Sequence, residues 1–151
     1  MQDLNFPTYT FRLKNSENNT HIFDVIRKKF VVLQPEEWVR QHCIQFLINE
    51  KNFPVSLINV EKVVQINGLN KRYDIVVYNS DGSIYLIVEC KAPRVKISQS
   101  AFDQIARYNL ALKASCLMVT NGLNHYFCTM DHNLGIYNFF KELPSYVKKK
   151  I

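Results

Sequence analysis

The stretch that decides the fold is YDIVVYNSDGSIYLIVECK, residues 73–91. Two runs rich in β-branched and aromatic residues, 73–79 and 84–90, flank Asp81-Gly82, a dipeptide typical of hairpin turns. Both runs carry apolar side chains on both faces, as strands do in a sheet that is covered on both sides. The stretch therefore predicts a β-hairpin at the centre of a layered α/β domain.

The predicted hairpin also sets which side chains face each other. With a two-residue loop, Ser80 pairs with Ser83, and a four-residue loop keeps the same register. Asp74 then lies directly opposite Glu89, and Lys91, two residues further along, projects from the same face as Glu89. The sequence thus predicts two carboxylates and one ammonium group together at the end of an apolar sheet.

Two opposed carboxylates repel each other, and burial increases the penalty. The charge of Lys91, a raised pKa of one carboxyl group, or a bound divalent cation could each offset it. Mg²⁺ prefers oxygen ligands and is often held by one or two carboxylates together with substrate phosphate. A metal-activated water beside Lys91 would be suited to phosphodiester hydrolysis.

The elements around the hairpin predict an α/β class with a central mixed β-sheet flanked by helices. We expect a single domain over 1–151, with an N-terminal extension at 1–25 and a frayed basic tail at 146–151. Apolar periodicity predicts helices over 35–50 and 99–114. Further strands are predicted over 9–14, 60–66, 116–120, 125–130 and 136–140, with a polar turn over 15–20.

Composition narrows the function classes. The 151 residues carry a formal net charge of +6, which hints at a polyanionic partner. No apolar run is long enough for a membrane span, and no phosphate-binding loop or dinucleotide fingerprint occurs, so we expect no nucleotide site. The 4 cysteines are widely spaced, as expected of reduced thiols in a cytoplasmic protein.

At this point the residues resemble a known superfamily. Asp74, a strand turn and then Glu89-x-Lys91 look like the PD-(D/E)xK nuclease motif, although Tyr73 stands where the motif has proline. Gln104 and Tyr108, one helical turn apart, fit the Q-x-x-x-Y motif of several of its nucleases. Strings over 27–31, 35–41, 88–93, 102–109 and 120–122 together resemble the N-terminal nuclease domain of type I restriction enzyme R subunits, in a short stand-alone version.

The resemblance implies a restriction-endonuclease-like core and a role for each site residue. Asp74 and Glu89 would bind Mg²⁺, or Mn²⁺ in its place, with the backbone carbonyl of Cys90 as a further ligand. Lys91 would act on the attacking water. The positioning of the metal site or the DNA backbone would fall to Gln104 and Tyr108, and an acid on the preceding helix, Glu37 or Glu36, would approach the site.

The partner implied is DNA, together with other restriction-system subunits or a separate translocase. Surplus cations would give backbone contacts without base selectivity. Two alternatives stay open: a non-cleaving nucleic-acid-binding or assembly module that keeps the fold, and a hydrolase of a small phosphorylated substrate. The expected DNA-binding residues are Lys71, Arg72, Arg94, Lys96 and Arg107.

Overall fold

The computed structural model describes residues 1–148, apart from the side chains of Ile66 and Leu69. The predicted basic tail at 146–151 therefore lies partly outside the described residues. Two sheets and two α-helices make up the described chain. The smaller sheet contains β1 (Leu13–Ser16), β2 (Asn19–Asp24) and β3 (Lys29–Val32).

The larger sheet has six strands in the order β4-β5-β6-β7-β8-β9. Only β6 and β7 are parallel within it, and the helix that connects them makes the crossover that a parallel pair needs. This arrangement confirms the predicted α/β class with a mixed sheet. The strands are β4 (Ile58–Ile66), β5 (Leu69–Tyr78), β6 (Ile84–Cys90), β7 (Cys116–Thr120), β8 (His125–Asp131) and β9 (Ile136–Phe140).

Helix α1 (Pro35–Asn49) packs on one face of the large sheet, and α2 (Gln99–Asn109) packs on the other. Pro35 starts α1 at a position where its missing N–H costs nothing, and two acidic residues follow in the first turn. The strands of the hairpin contribute to both cores, as their two apolar faces predicted. Neither helix in the described part of the chain is long and apolar enough to cross a membrane.

The N-terminal region departs from the sequence prediction. The predicted strand over 9–14 is wrong for its first residues, because β1 begins only at Leu13. The ring of Phe11 lies 5.3 Å from that of Trp38 on α1, so the alternating apolar residues pack on a helix instead of pairing in a sheet. Part of the predicted polar turn over 15–20 is strand, and β2 and β3 were not predicted at all.

The second helix is shorter than predicted. Helix α2 ends at Asn109, and a 3-10 turn, Leu110–Leu112, replaces the last part of the expected helix over 99–114. The chain then turns at Lys113, which adopts a left-handed conformation with φ of 55°. Ser98 caps the start of α2, because its side chain accepts a hydrogen bond from the backbone N–H of Ala101 at 3.2 Å.

Candidate active site

The hairpin of β5 and β6 has the register that brings the predicted carboxylates together. Ile75 pairs with Val88, and the next residues outward along the two strands are Asp74 and Glu89. The backbone N–H of Cys90 donates to Oδ2 of Asp74 at 2.8 Å, which ties the end of β6 to the middle of β5. The predicted adjacency of Asp74 and Glu89 is therefore present in the structure.

The turn that joins these strands is not the predicted one. The backbone N–H of Asn79 donates to the carbonyl of Ser83, so the loop has neither two nor four residues, and the predicted pairing of Ser80 with Ser83 is wrong. One extra residue, Tyr85, bulges from β6 between the pairs at Tyr78 and Val77. The bulge shifts the register by one residue and so restores the predicted pairing at the far end of the hairpin.

Burial and the Asp74 charge dominate the electrostatics of Glu89. The Glu89 side chain is only 12% exposed. Burial, followed by the nearby Asp74 carboxylate, raises the pKa of Glu89 to about 7, although Lys71 acts in the opposite direction. A carboxyl group with this pKa is half ionised near neutral pH, and a second cation would favour its ionised form.

Two different cations hold the two carboxylates. Arg40 of α1 donates from Nη2 to Oδ1 of Asp74 at 2.9 Å, and its side chain is 8% exposed. Lys71 of β5 places its Nζ 3.5 Å from Oε1 of Glu89. From the sequence, Lys91 is the cation expected beside the two carboxylates. Arg40 and the contact between Lys71 and Glu89 were not predicted.

Lys91 lies just beyond β6, and its backbone N–H donates to the carbonyl of Thr120 at 2.8 Å. Its charge acts on Glu36 of α1, where it lowers a pKa that burial and Asp74 raise overall. The thiol of Cys90 is buried in the core on the α1 face.

The two acidic residues at the start of α1 have different surroundings. Glu37 accepts hydrogen bonds from Arg27, Arg40 and Gln41, and its side chain is 10% exposed. Glu36 is 50% exposed at its side chain and lies near enough to Asp74 for the Asp74 charge to raise its pKa. Of the two acids that the sequence left open, Glu36 is the more exposed, and Glu37 is engaged by the protein.

The residues of the Q-x-x-x-Y motif lie on exposed positions of α2. Tyr108 is 49% exposed, and the Nζ of Lys71 lies 4.0 Å from the centre of its ring. Lys71 also lies 4.7 Å from the ring of Tyr73, the residue that replaces the proline of the motif. Lys71 therefore contacts both the Tyr108 ring and the Glu89 carboxylate. Gln104 is exposed to solvent.

The expected DNA-binding residues have unequal surroundings. Lys71 is held at the site, and Arg72 forms an ion pair with Glu61 at 3.4 Å while remaining 66% exposed. The other three are exposed, on the β6–α2 connection and on α2: Arg94, Lys96 and Arg107.

A buried ionic network next to Asp74 was not predicted from the sequence. Asp24 is fully buried and accepts hydrogen bonds from Arg27 and Gln41. Glu61, opposite Asp74 on β4, has a φ of 56° and accepts from Arg40 at 3.0 Å. The spacing of Arg40 from the acids one helical turn earlier was the available signal, since residues three and four apart share a helix face.

The donor set fits a hard divalent cation held by few protein ligands. Asp74 and Glu89 supply oxygen atoms, and Mg²⁺ is commonly held by one or two carboxylates while it keeps several waters. Within residues 1–148, no group of three or more His, Cys, Asp or Glu side chains is placed to hold a metal ion.

Comparison with known proteins gives the class of protein, because the chain matches the N-terminal region of a restriction enzyme subunit. More particularly, residues 35–144 match the family described as type I restriction enzyme R protein N terminus, and the chain belongs to that family. The predicted resemblance to R subunits is confirmed at this level. A search of curated proteins found no match.

The solved structures that match include a fragment of a protein described as an HsdR subunit of a type I restriction enzyme from Vibrio vulnificus YJ016. The identity is 20% and the TM-score 0.46. The match covers 68% of this chain but only 22% of that one, so the chain spans about a fifth of the length of this relative.

Proposed function

We propose that this chain is a Mg²⁺-dependent DNA nuclease domain of the PD-(D/E)xK type. The observation that carries the proposal is the pairing of Asp74 with Glu89, whose burial and mutual repulsion raise the pKa of Glu89 to about 7. Such a pair of carboxylates destabilises the fold, and a bound cation would offset their repulsion. Membership in the R-protein family supports DNA as the substrate.

In this proposal the residues of the site have separate roles. Asp74 and Glu89 hold the metal, with the backbone carbonyl of Cys90 as a further ligand. When bound, the metal supplies a water of lowered pKa and stabilises charge on the phosphate. Lys91 orients that water, and Glu36 takes the place of the helix-borne acid. Exposed cations near α2 hold the DNA backbone through sequence-independent contacts.

The partners are proposed on the same grounds. An R-protein family domain would act with other restriction-system subunits, and an ATP-driven translocase would come from another chain or another region. The proposed location is the cytoplasm, where its DNA substrate is found.

One observation favours the second candidate, a non-cleaving nucleic-acid-binding or assembly module. Both oxygens of Asp74 already accept hydrogen bonds, one from Arg40 and one from the backbone of Cys90. A carboxylate that is fully engaged by the protein could serve the fold alone.

A cleavage assay separates the two candidates. Supercoiled, linear and single-stranded DNA would be incubated with Mg²⁺, with Mn²⁺ or with EDTA. The wild type would be compared with Asp74→Ala and Lys91→Ala, and with Glu142→Gln as a control at a side chain that is 88% exposed. Metal-dependent cutting that only the first two variants lose supports the nuclease. DNA binding without cutting, unchanged in Asp74→Ala, supports the module and refutes the nuclease.

A further inference from the structure

Each proposed metal-binding carboxylate has a cation of its own from this chain, and the two cations differ in how firmly they are held. Arg40 forms an ion pair with Asp74 at 2.9 Å, and Lys71 forms one with Glu89 at 3.5 Å. A divalent cation that binds both carboxylates competes with these two side chains for the same oxygen atoms.

Arg40 is fixed in place. It bonds to Glu37 at 3.1 Å and to Glu61 at 3.0 Å in addition to Asp74, and its side chain is 8% exposed. Its Nε is buried without a hydrogen-bond partner among the described residues. Moving the guanidinium would take the cation away from the buried Asp74 carboxylate and one partner each from Glu37 and Glu61, which is strongly unfavourable.

Lys71 is held much more loosely. Its side chain is 31% exposed, and its ion pair with Glu89, at 3.5 Å, is at the long end of a hydrogen bond. Its other contacts are with the faces of two aromatic rings, at 4.7 Å from Tyr73 and 4.0 Å from Tyr108. Tyr108 is itself half exposed, so the ammonium can swing outward along a flexible four-carbon stem at little cost.

We propose that Lys71 is a displaceable counter-ion of Glu89: it occupies the carboxylate in the metal-free protein and leaves when a divalent cation binds. The released ammonium is then free for the phosphate backbone of the substrate. This inference rests on the proposed function, because it takes Glu89 as a metal ligand. It also gives Tyr108 a physical task, which is to hold Lys71 over its ring face through a cation–π contact.

The inference predicts that removing Lys71 tightens metal binding. We would titrate Mn²⁺ alone into the wild type and into Lys71→Met by calorimetry. Lys62→Met is the matched control, because Lys62 is exposed on the neighbouring strand and pairs with Tyr73. We expect about tenfold tighter Mn²⁺ binding in Lys71→Met, and a change below about twofold in the control, whose charge is farther away and solvated.

Tyr108 provides a test that a general charge effect does not mimic. Tyr108→Leu keeps the total charge but removes the ring, so Mn²⁺ should bind roughly two- to fivefold more tightly. Tyr108→Phe keeps the ring face and should bind as the wild type does. If Tyr108→Leu binds Mn²⁺ more weakly, Tyr108 supports the metal directly and the inference is overturned.

A spectroscopic readout follows Lys71 itself. Its Nζ lies 4.0 Å from the centre of the Tyr108 ring, so the adjoining ε-methylene protons should resonate upfield, in a signal identified by its loss in Lys71→Met. Saturating Mg²⁺ should move this signal toward the position of a free lysine. An unmoved signal would overturn the displacement.

The outcomes separate the inference from the proposed function. If the wild type binds no Mn²⁺, the proposed metal site is refuted and the inference goes with it. If the wild type binds Mn²⁺ and Lys71→Met binds it equally or more weakly, only the inference is refuted.

Discussion

Replacing Glu89 with glutamine should stabilise the metal-free protein while it removes the proposed metal ligand. The amide keeps the size of the side chain but never ionises. In the folded chain, burial and the charge of Asp74 raise the pKa of Glu89 from its ordinary value of 4.5 to about 7. The ionised form of Glu89 is therefore disfavoured by folding, and Glu89→Gln relieves that penalty.

The size of the gain follows from the pKa. Each pKa unit corresponds to ~1.4 kcal/mol, so full ionisation of Glu89 costs the fold about 3 kcal/mol. The native state binds the proton more tightly than the unfolded chain does, so the stability contributed by this group falls as the pH rises from 4.5 to about 7. Glu89→Gln should gain about 3 kcal/mol at pH 8 and about 1 kcal/mol at pH 5.

Urea unfolding in EDTA at both pH values, followed by fluorescence of the single tryptophan, Trp38, measures this directly. Glu142→Gln is the control, because its side chain is 88% exposed and its stability should follow that of the wild type at both pH values. A loss of stability in Glu89→Gln at pH 8, or an equal gain at both pH values, would refute the electrostatic account of the site.

Four other perturbations have defined outcomes. Arg40→Met should lose about 3 kcal/mol or more in urea unfolding, because the buried Asp74 carboxylate loses its cation; stability equal to the wild type would contradict the network. Gly122→Ala should lose about 2 kcal/mol, since a Cβ there would lie 2.8 Å from Leu4 at a φ of 86°. Gly68→Ala, with a φ of 78° and open space around its Cβ, should lose only about 1 kcal/mol by the same measurement. Equal losses in the two variants would exclude a steric contribution from Leu4. Mg²⁺ at 100 times its Kd should raise the stability by ~2.7 kcal/mol, and no shift in the unfolding midpoint on adding Mg²⁺ would argue against a metal site.

The hairpin shows how a prediction can succeed for an incomplete reason. The apolar runs located both strands, and β6 was predicted residue for residue, whereas β5 begins at Leu69, four residues before the predicted range 73–79, and ends at Tyr78. The Asp-Gly signal located the turn but not its length, and the bulge at Tyr85 then restored the expected register. A bulge depends on how both strands twist and pack, which a turn dipeptide does not encode.

Elements with weak periodicity were missed. Strand β2 has only its last residues buried, and β3 follows a basic cluster, so neither resembles a core strand. Their pairing is stabilised by tertiary contacts, including the fully buried Asp24 at the end of β2. By contrast β7, whose five residues are all buried, was predicted with its correct bounds.

The sequence by itself determined that Asp74 and Glu89 lie on the two neighbouring strands of one hairpin, because two apolar runs flank a turn signal. Only the tertiary structure decided which cation meets which carboxylate. Arg40 comes from 34 residues before Asp74 and Lys71 from 18 residues before Glu89. Contacts over such separations depend on how α1 and β5 pack and on which side chains are desolvated together, and no local pattern records either.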